Sequence, residues 1–582
     1  MKNALGIIVV VITALIYISD QKGIENAVRK AFGRQSQSGD FALNFELHDR
    51  TKDVGLYHRH ELAGLDRRFD NVAPYVAAVG ASVVAVDPNG SGWYDIFLTT
   101  SKVGGLNQYY RNNRDGTFTE VAKELGLADL NRPFPTWRAV FTDYDRDGLK
   151  DVFLFSYCPR VLRNMGKDGF KEVLDHGLQC GVFYGGLNAL EVNRSGELSF
   201  IVSPYLMENL FSPKTTKIFP NNFSGESNGR SVIFYENTGK GRFKDETRKF
   251  GFSHKGWGHA VGVYDLRGTA RKDIWFPEDY NFERVYFNEA KQSAVNEAPD
   301  RFRDQGEVLA KSGFGRNGMG VDIADVDNDG RPLVFVTHIY TQGYKLSGNS
   351  LWKLVDPASG KLVQEAGERG VADCGWAWSG RFIDFDNNGE LELFVTNGFV
   401  SASKKKSYWY TMSVLDAAGP TILEDSLNWP PIKDASIDGY QRSCLFVKGQ
   451  DGRFVDLAAE TGLANDLLDG RGFVPIDYMN NGSPSLVVVN QNAETLFYAN
   501  EQKNKNAWLG FRFKGKRSNP EGWGARVFIS MKDKKIMREL QPLNGYASQA
   551  EDRLLIGLGA APEIRDIEVQ WPSGVKQRVE PL

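Results

Sequence analysis

The residues with the most chemistry to offer lie in one short run, Asp143-Tyr144-Asp145-Arg146-Asp147-Gly148-Leu149-Lys150-Asp151. Carboxylates at its first, third, fifth and ninth places are the hard oxygen donors that Ca²⁺ prefers, and the seventh place, Leu149, is where such loops use a backbone carbonyl. Gly148 at the sixth place lets the chain turn without a Cβ clash. An EF-hand is excluded, because that motif needs a bidentate Glu at the twelfth place and helical flanks. Here the twelfth place is Leu154, and the flanks Trp137–Thr142 and Val152–Phe155 are aromatic and β-branched. The loop therefore sits between two strands. The alternative is a solvated Asp/Gly turn with no ion.

The elements that must position this loop recur along the chain. Asp87, Asn89, Ser91 and Asp95 repeat its polar places, and Leu187–Ser203 is a worn copy. Asp265 leads to Asp273, with Arg267 and Thr269 between them, so that copy is expected to have lost its ion. Asp325, Asp327 and Asp329, with Arg331 at the seventh place, are strong in front, but the ninth place is Leu333. Asp384, Asp386, Asn388, Glu390 and Glu392 form a nearly complete copy. The last begins at Asp477, weakened by Met479 and Ser485. A second phrase recurs between these loops, as in Tyr110-Arg111-Asn112 before Gly116-Thr117-Phe118, and Tyr235-Glu236-Asn237 before Gly241-Arg242-Phe243. Two hairpins per unit make four strands. About seven such units describe the blades of a β-propeller, whose closure protects the sheet edges. A tandem array of small domains is the competing architecture. Phe41–Arg59, strand-like and ahead of the first full unit, is placed to complete the last blade.

With 582 residues, 41% hydrophobic and 12% aromatic, the chain can build large cores. A net charge of −3 offers no basic field, which argues against a nucleic-acid partner. The four cysteines, Cys158, Cys180, Cys374 and Cys444, form no CxxC pair, so zinc is unsupported. Cys158 and Cys180 are either a disulfide of an exported chain or buried thiols. Residues 1–19, with the apolar run Ala4–Ile18, read as a signal anchor or signal peptide, and residues 20–40 as a tether. The protein is thus expected outside the cytosol, periplasmic or extracellular, touching membrane only through that segment.

Residues 41–500 hold the repeats. Residues 506–582 hold short alternating strands that suggest a small β-sandwich-like domain. There, Gly522-Trp523-Gly524-Ala525-Arg526-Val527, Gly545-Tyr546-Ala547-Ser548-Gln549, Leu555-Ile556-Gly557-Leu558-Gly559 and Val569-Gln570-Trp571-Pro572-Ser573-Gly574 resemble the ASPIC/UnbV domain. The repeats resemble FG-GAP/VCBS units of the integrin-α-like propeller. Together the arrangement resembles the cartilage acidic protein family, which includes UnbV proteins found with enediyne biosynthesis. Gly55–His60 resembles that family's segment before its first repeat. The resemblance implies an all-β, seven-bladed, exported, Ca²⁺-binding propeller used for adhesion or recognition of a protein, glycan or small molecule. It implies no known reaction. The loop pattern carries over well at Asp143 and Asp384, partly at Asp87 and Asp325, and poorly at Asp265 and Asp477, so fewer ions than blades are expected.

An enzyme is the competing reading, as an accessory or catalytic protein of a biosynthetic pathway with its site at the propeller mouth. His60, His259 and His338 are the residues it would use, although no GxSxG, HExxH, P-loop or dinucleotide fingerprint is present. Trp257, Trp376 and Trp378 precede repeat strands and serve either as blade core or as an aromatic ligand surface. Lys404-Lys405-Lys406 beside Tyr408-Trp409-Tyr410 reads as a solvated loop or as a contact for an anionic partner.

Overall fold

The computed structural model describes residues 43–580 except 207, 224, 227, 240, 291–298, 307–308, 310–316 and 464–466. The apolar run and tether of residues 1–40 lie outside the described residues. No described helix is long and apolar enough to cross a membrane.

Seven four-stranded antiparallel meanders carry the repeats, and each acidic loop joins the first two strands of one meander. The first strands are Val83–Val86, Arg138–Thr142, Gly186–Glu191, Gly262–Tyr264, Val321–Ala324, Ala377–Ile383 and Gly470–Ile476. In blade two, every residue of Arg138–Thr142 and of Asp151–Phe155 is buried. Such strands lie between two neighbouring sheets, so they read as continuous apolar runs without a polar alternate face. The cores form between blades: Val83, Ile96 and Tyr110 of the first pack with Val474, Val487 and Phe497 of the seventh.

The all-β propeller reading holds, and so does the role expected of the segment before the first repeat. Phe45–Asp49 pairs antiparallel with Leu496–Gln502, Phe45 opposite Gln502 and Asp49 opposite Tyr498. It supplies the outermost strand of the seventh sheet, which joins the two ends of the repeat region.

Residues 507–579 form a four-stranded sheet, in the order Lys535–Glu539, Arg526–Met531, Ile564–Gln570 and Lys576–Val579, beside a ribbon of Ala507–Arg512 with Arg553–Gly559. Val527, Ile529, Ile556, Leu558 and Ile567 from both share one core. Residues 44–582 nevertheless make a single compact unit, and a loop explains why. Residues 541–550 lie among the first strands of the blades. Asn544 Oδ1 accepts from Asn188 Nδ2 (3.0 Å) and from the Val263 amide (3.2 Å). Gly545 exchanges backbone bonds with Val321. The Tyr546 amide donates to Ser379 Oγ (3.1 Å). Ser548–Gln549 pairs parallel with Val83–Val84. The Gln549 amide accepts from Phe141 N and donates to Phe141 O, both at 2.8 Å. A Cβ on Gly472 of the seventh blade would meet Ala547 O at 2.6 Å. All seven first strands thus touch one inserted loop.

Both cysteine pairs are disulfides: Cys158 with Cys180 and Cys374 with Cys444. The second pair, 70 residues apart in sequence, joins the approach to the sixth blade's first strand to the start of its third.

Candidate functional site

The acidic loops share one internal device. The first carboxylate accepts the backbone N–H groups of the fifth and sixth residues. Asp143 takes Asp147 N and Gly148 N, both at 3.0 Å, and Asp265, Asp325, Asp384 and Asp477 do the same in their own loops. Asp87 holds Ser91 N and Gly92 N in the same way. The fourth residue sits in the left-handed region (Asn328 φ 51°, Asn387 φ 59°, Asn480 φ 54°), which explains the asparagines there. The first aspartate therefore folds the loop whether or not an ion is bound.

The ninth place has a local role as well. Asp151 Oδ1 accepts from Asn164 N (2.8 Å), Asp95 from Asn112 N (2.8 Å), and Asp273 from Asn288 N (2.9 Å). In the worn copies, serine hydroxyls, Ser199 and Ser485, accept from Asn237 N and Asn500 N. The asparagine of the second recurring phrase is explained by its side chain, whose Oδ1 accepts the N–H two residues on and so shapes the turn: Arg114 N at Asn112 (2.8 Å), Gly166 N at Asn164 (2.9 Å) and Gly239 N at Asn237 (3.0 Å). The same side chain ties blades together, since Asn112 Nδ2 donates to Tyr478 O (2.9 Å) and Asn500 Nδ2 to Phe385 O (2.8 Å).

What separates the loops is what remains after these bonds. Among the described residues, only Asp143, Asp145 and Asp151 bring three carboxylate oxygens within 4.8 Å of one another. Asp145 Oδ1 and Asp151 Oδ2 are buried with no hydrogen-bond partner. Burial, then the neighbouring carboxylates, push the Asp151 carboxyl up to about 8. Arg163 meets the outer edge of the group, 2.8 Å from Asp145 Oδ2 and 3.0 Å from Asp147 Oδ2. Two unpartnered buried oxygens, with the Asp143 carboxylate close beside them, fit a hard divalent cation. The Leu149 amide donates to Asp147 Oδ1 (2.9 Å), which holds the seventh place in the turn.

The other loops spend their acids differently. At the sixth blade, burial and Asp386 push Asp384 up to about 7, and Glu392, close to both, is pushed up by burial and by their charge. Glu392 accepts Phe385 N, Asp386 accepts Asn44 Nδ2, Asn388 Oδ1 accepts Glu390 N, and Glu390 pairs with Lys448. At the fifth blade the protein supplies its own cations. Arg369 grips Asp327 with two bonds (3.1 and 2.7 Å), Lys353 and Lys448 stand 3.8 and 3.9 Å away, and Arg331 pairs with Asp329. Burial would raise the Asp327 carboxyl, but Arg369 and the two lysines outweigh it and hold it low. At the first blade, Asp95 also accepts the Tyr109 hydroxyl (2.7 Å), Asn89 faces Asn164 and Ser91 Oγ turns back to Trp93. At the fourth, Arg267 pairs with Asp273 at 3.0 Å.

The acidic-loop end is also where the C-terminal domain sits, and the sequence reading missed this. It meets every loop: Arg512 at Gly92 O, Glu521 at the Asp143 amide, Asn519 at Glu191, Arg526 at Asp265, Arg538 at Asn328, Lys534 at Asn388 O and Arg553 at Asp477. Several of these groups are buried ions with several partners, the condition under which burial of charge is tolerated. Lys272, for example, lies 2.7 Å from Glu539, which also takes Arg526. Single arginines and glutamates in a β-rich segment look like surface charge in sequence, so only their alternation with buried apolar positions hinted at a docking face.

The histidines lie at the other end of the first strands, away from the acidic loops. His60 meets Ser101 Oγ (2.9 Å), and His338 meets Glu283 (2.9 Å) beside Ser350. His259 is stacked under Tyr205, 3.5 Å from Asp279, and burial keeps it below its ordinary pKa. This end is roofed by the insertions. Trp257, Trp376, Trp378, Tyr408 and Trp409 join Phe219, Trp429 and Tyr546 in one buried aromatic cluster. Tyr408 and Trp409 are therefore core, and Lys404 lies over the Tyr440 ring.

Two family matches agree with this layout. Residues 515–582 match the family described as ASPIC and UnbV, and residues 87–154 match the FG-GAP-like repeat. They support the ASPIC/UnbV family with FG-GAP repeats; the cartilage acidic protein name is not among them. No curated protein matches the sequence. Two solved structures described as BBS1N in complex with ARL6DN, soaked with mercury and with lead, are similar to 76% of this chain over 98% of theirs, at 8% and 7% identity and TM-scores of 0.37 and 0.36.

Proposed function

We propose that this protein is a recognition module that binds its ligand at the insertion-bearing end of the propeller. One observation carries the reading. The C-terminal domain covers the acidic-loop end and contacts every loop there, while six large apolar side chains stay exposed at the other end: Tyr344, Leu346, Tyr410, Val414, Ile422 and Leu427. A divalent cation, Ca²⁺ by the chemistry of the donors, is held by Asp143, Asp145 and Asp151, where its charge offsets carboxylates that otherwise repel in a buried space. The ion stiffens a loop and takes no part in a reaction. Export by residues 4–18 accords with two disulfides, which persist in oxidising compartments.

The test is retention of the full-length labelled chain on glycan, peptide and small-molecule arrays. The reading expects a ligand class whose retention falls roughly tenfold or more when Tyr410→Ser and Leu427→Ser are combined. It expects no change with Lys532→Ala plus Lys576→Ala on the C-terminal domain. Retention lost through the lysine variants, or no retention on any array, refutes it.

A further inference from the structure

We infer that the pocket under the insertion helix Trp409–Ala418 binds a small organic cation, a protonated or quaternary amine. The inference rests on the reading that this end of the propeller is the recognition face. The pocket is a narrow, half-open cleft. Tyr75, Tyr280, Trp376 and Trp409 are among its walls, with Asp279 and Asn317 in its floor.

The floor is a carboxylate whose neighbours are two hydrogen-bond donors and, 3.5 Å away, His259, which burial keeps below its ordinary pKa. Asp279 Oδ2 accepts the Tyr205 hydroxyl (3.0 Å), and Oδ1 accepts Asn317 Nδ2 (3.2 Å). The Tyr280 hydroxyl bridges Tyr205 (3.0 Å) and Tyr75 (3.1 Å), which fixes the rings around it. Two buried polar atoms of the lining, Asn317 Oδ1 and Trp376 Nε1, have no partner. Tyr280 (φ 61°) and Asn317 (φ 69°) both occupy the left-handed region, a costly arrangement for a tyrosine that tends to persist where a site requires it. The charges at the mouth are Asp416 and Lys345, so the lining as a whole is acidic by one charge.

Aromatic faces around a carboxylate favour a cation that is large and weakly hydrated. The same cluster already accommodates guanidinium groups in that manner: Arg471 lies 4.2 Å from the Trp378 ring centre, and Arg138 lies 4.7 Å from that of Tyr546. Both of those cations are held by backbone carbonyls. A neutral ligand of equal shape would gain the ring contacts but leave the buried carboxylate without a counter-charge.

The experiment uses the full-length protein with choline as probe and its neutral isostere 3,3-dimethylbutan-1-ol as comparison, followed by calorimetry and by tryptophan fluorescence. Choline is expected to bind at least roughly tenfold more tightly than the alcohol. Asp279→Asn should erase that preference, and Tyr344→Ala at the exposed rim, which does not threaten folding, should weaken choline several-fold. Equal binding of choline and the alcohol overturns the cation inference while leaving the recognition face standing. Binding of neither overturns the inference too, and the array experiment then decides the broader reading on its own.

Discussion

Gln549 offers the sharpest test of how the propeller is built. Its side chain is 1% exposed, and its amide satisfies both the N–H and the C=O of Phe141 at 2.8 Å on the inner edge of the second blade. Gln549→Leu keeps most of the volume but leaves two buried backbone groups without partners. Each such group costs about 1–3 kcal/mol, so a loss of about 3 kcal/mol is the working figure. Unfolding entropy grows with chain length, and for a unit of this size 1 kcal/mol corresponds to about 1 °C, giving a drop of about 3 °C. Hydrogen exchange is the more sensitive assay. If opening at that edge becomes easier by the same amount, protection in the peptide spanning Arg138–Thr142 should fall by about two orders of magnitude. An unchanged melting temperature together with unchanged protection at Phe141 would refute the role of the loop among the first strands.

Three further outcomes follow from the same geometry. Arg369→Ala strips Asp327 of its bidentate partner but leaves Lys353 and Lys448 beside it, so it should destabilise the protein by about 1.5–3 kcal/mol, read by denaturant or thermal melts, with no rescue by Ca²⁺. Burial, against the pull of Arg553, leaves the Glu551 carboxyl raised to about 7. The folded state therefore keeps a proton that the unfolded state releases near 4.5, stability at this group is lost as pH rises through that interval, and Glu551→Gln should flatten the pH–stability profile by up to about 3 kcal/mol. Deleting residues 1–50 removes the outer strand of the seventh sheet; loss of cooperative melting is expected, and an unchanged transition would contradict the closure.

Much of this was legible in sequence because it is local. The acidic loops announce themselves through spacing, and the strand at Phe45–Asp49 through its place ahead of the repeats. The role of the first aspartate was harder to see. Asp143 and Asp265 look alike as possible ligands, yet both are occupied by backbone N–H groups, and only the oxygens left over decide whether an ion fits. Arg369 lies 42 residues beyond Asp327, so its occupation of that loop has no signature within the motif. Asn544, Tyr546 and Gln549 read as a turn between strands because their partners are hundreds of residues away. The pairing of Cys374 with Cys444 is hidden for the same reason, since the insertion of residues 401–441 separates two neighbouring strands.

The central claim is that one acidic loop is open to a divalent ion, while the others are held by the protein's own N–H groups, arginines and lysines. Elemental analysis of the calcium-saturated, desalted chain tests it most directly. The proposal predicts about one tightly held Ca²⁺ per chain, lost in Asp145→Ala plus Asp151→Ala, together with the calcium-dependent rise in melting temperature. One ion for every acidic loop, or an ion that survives those two substitutions, would contradict it.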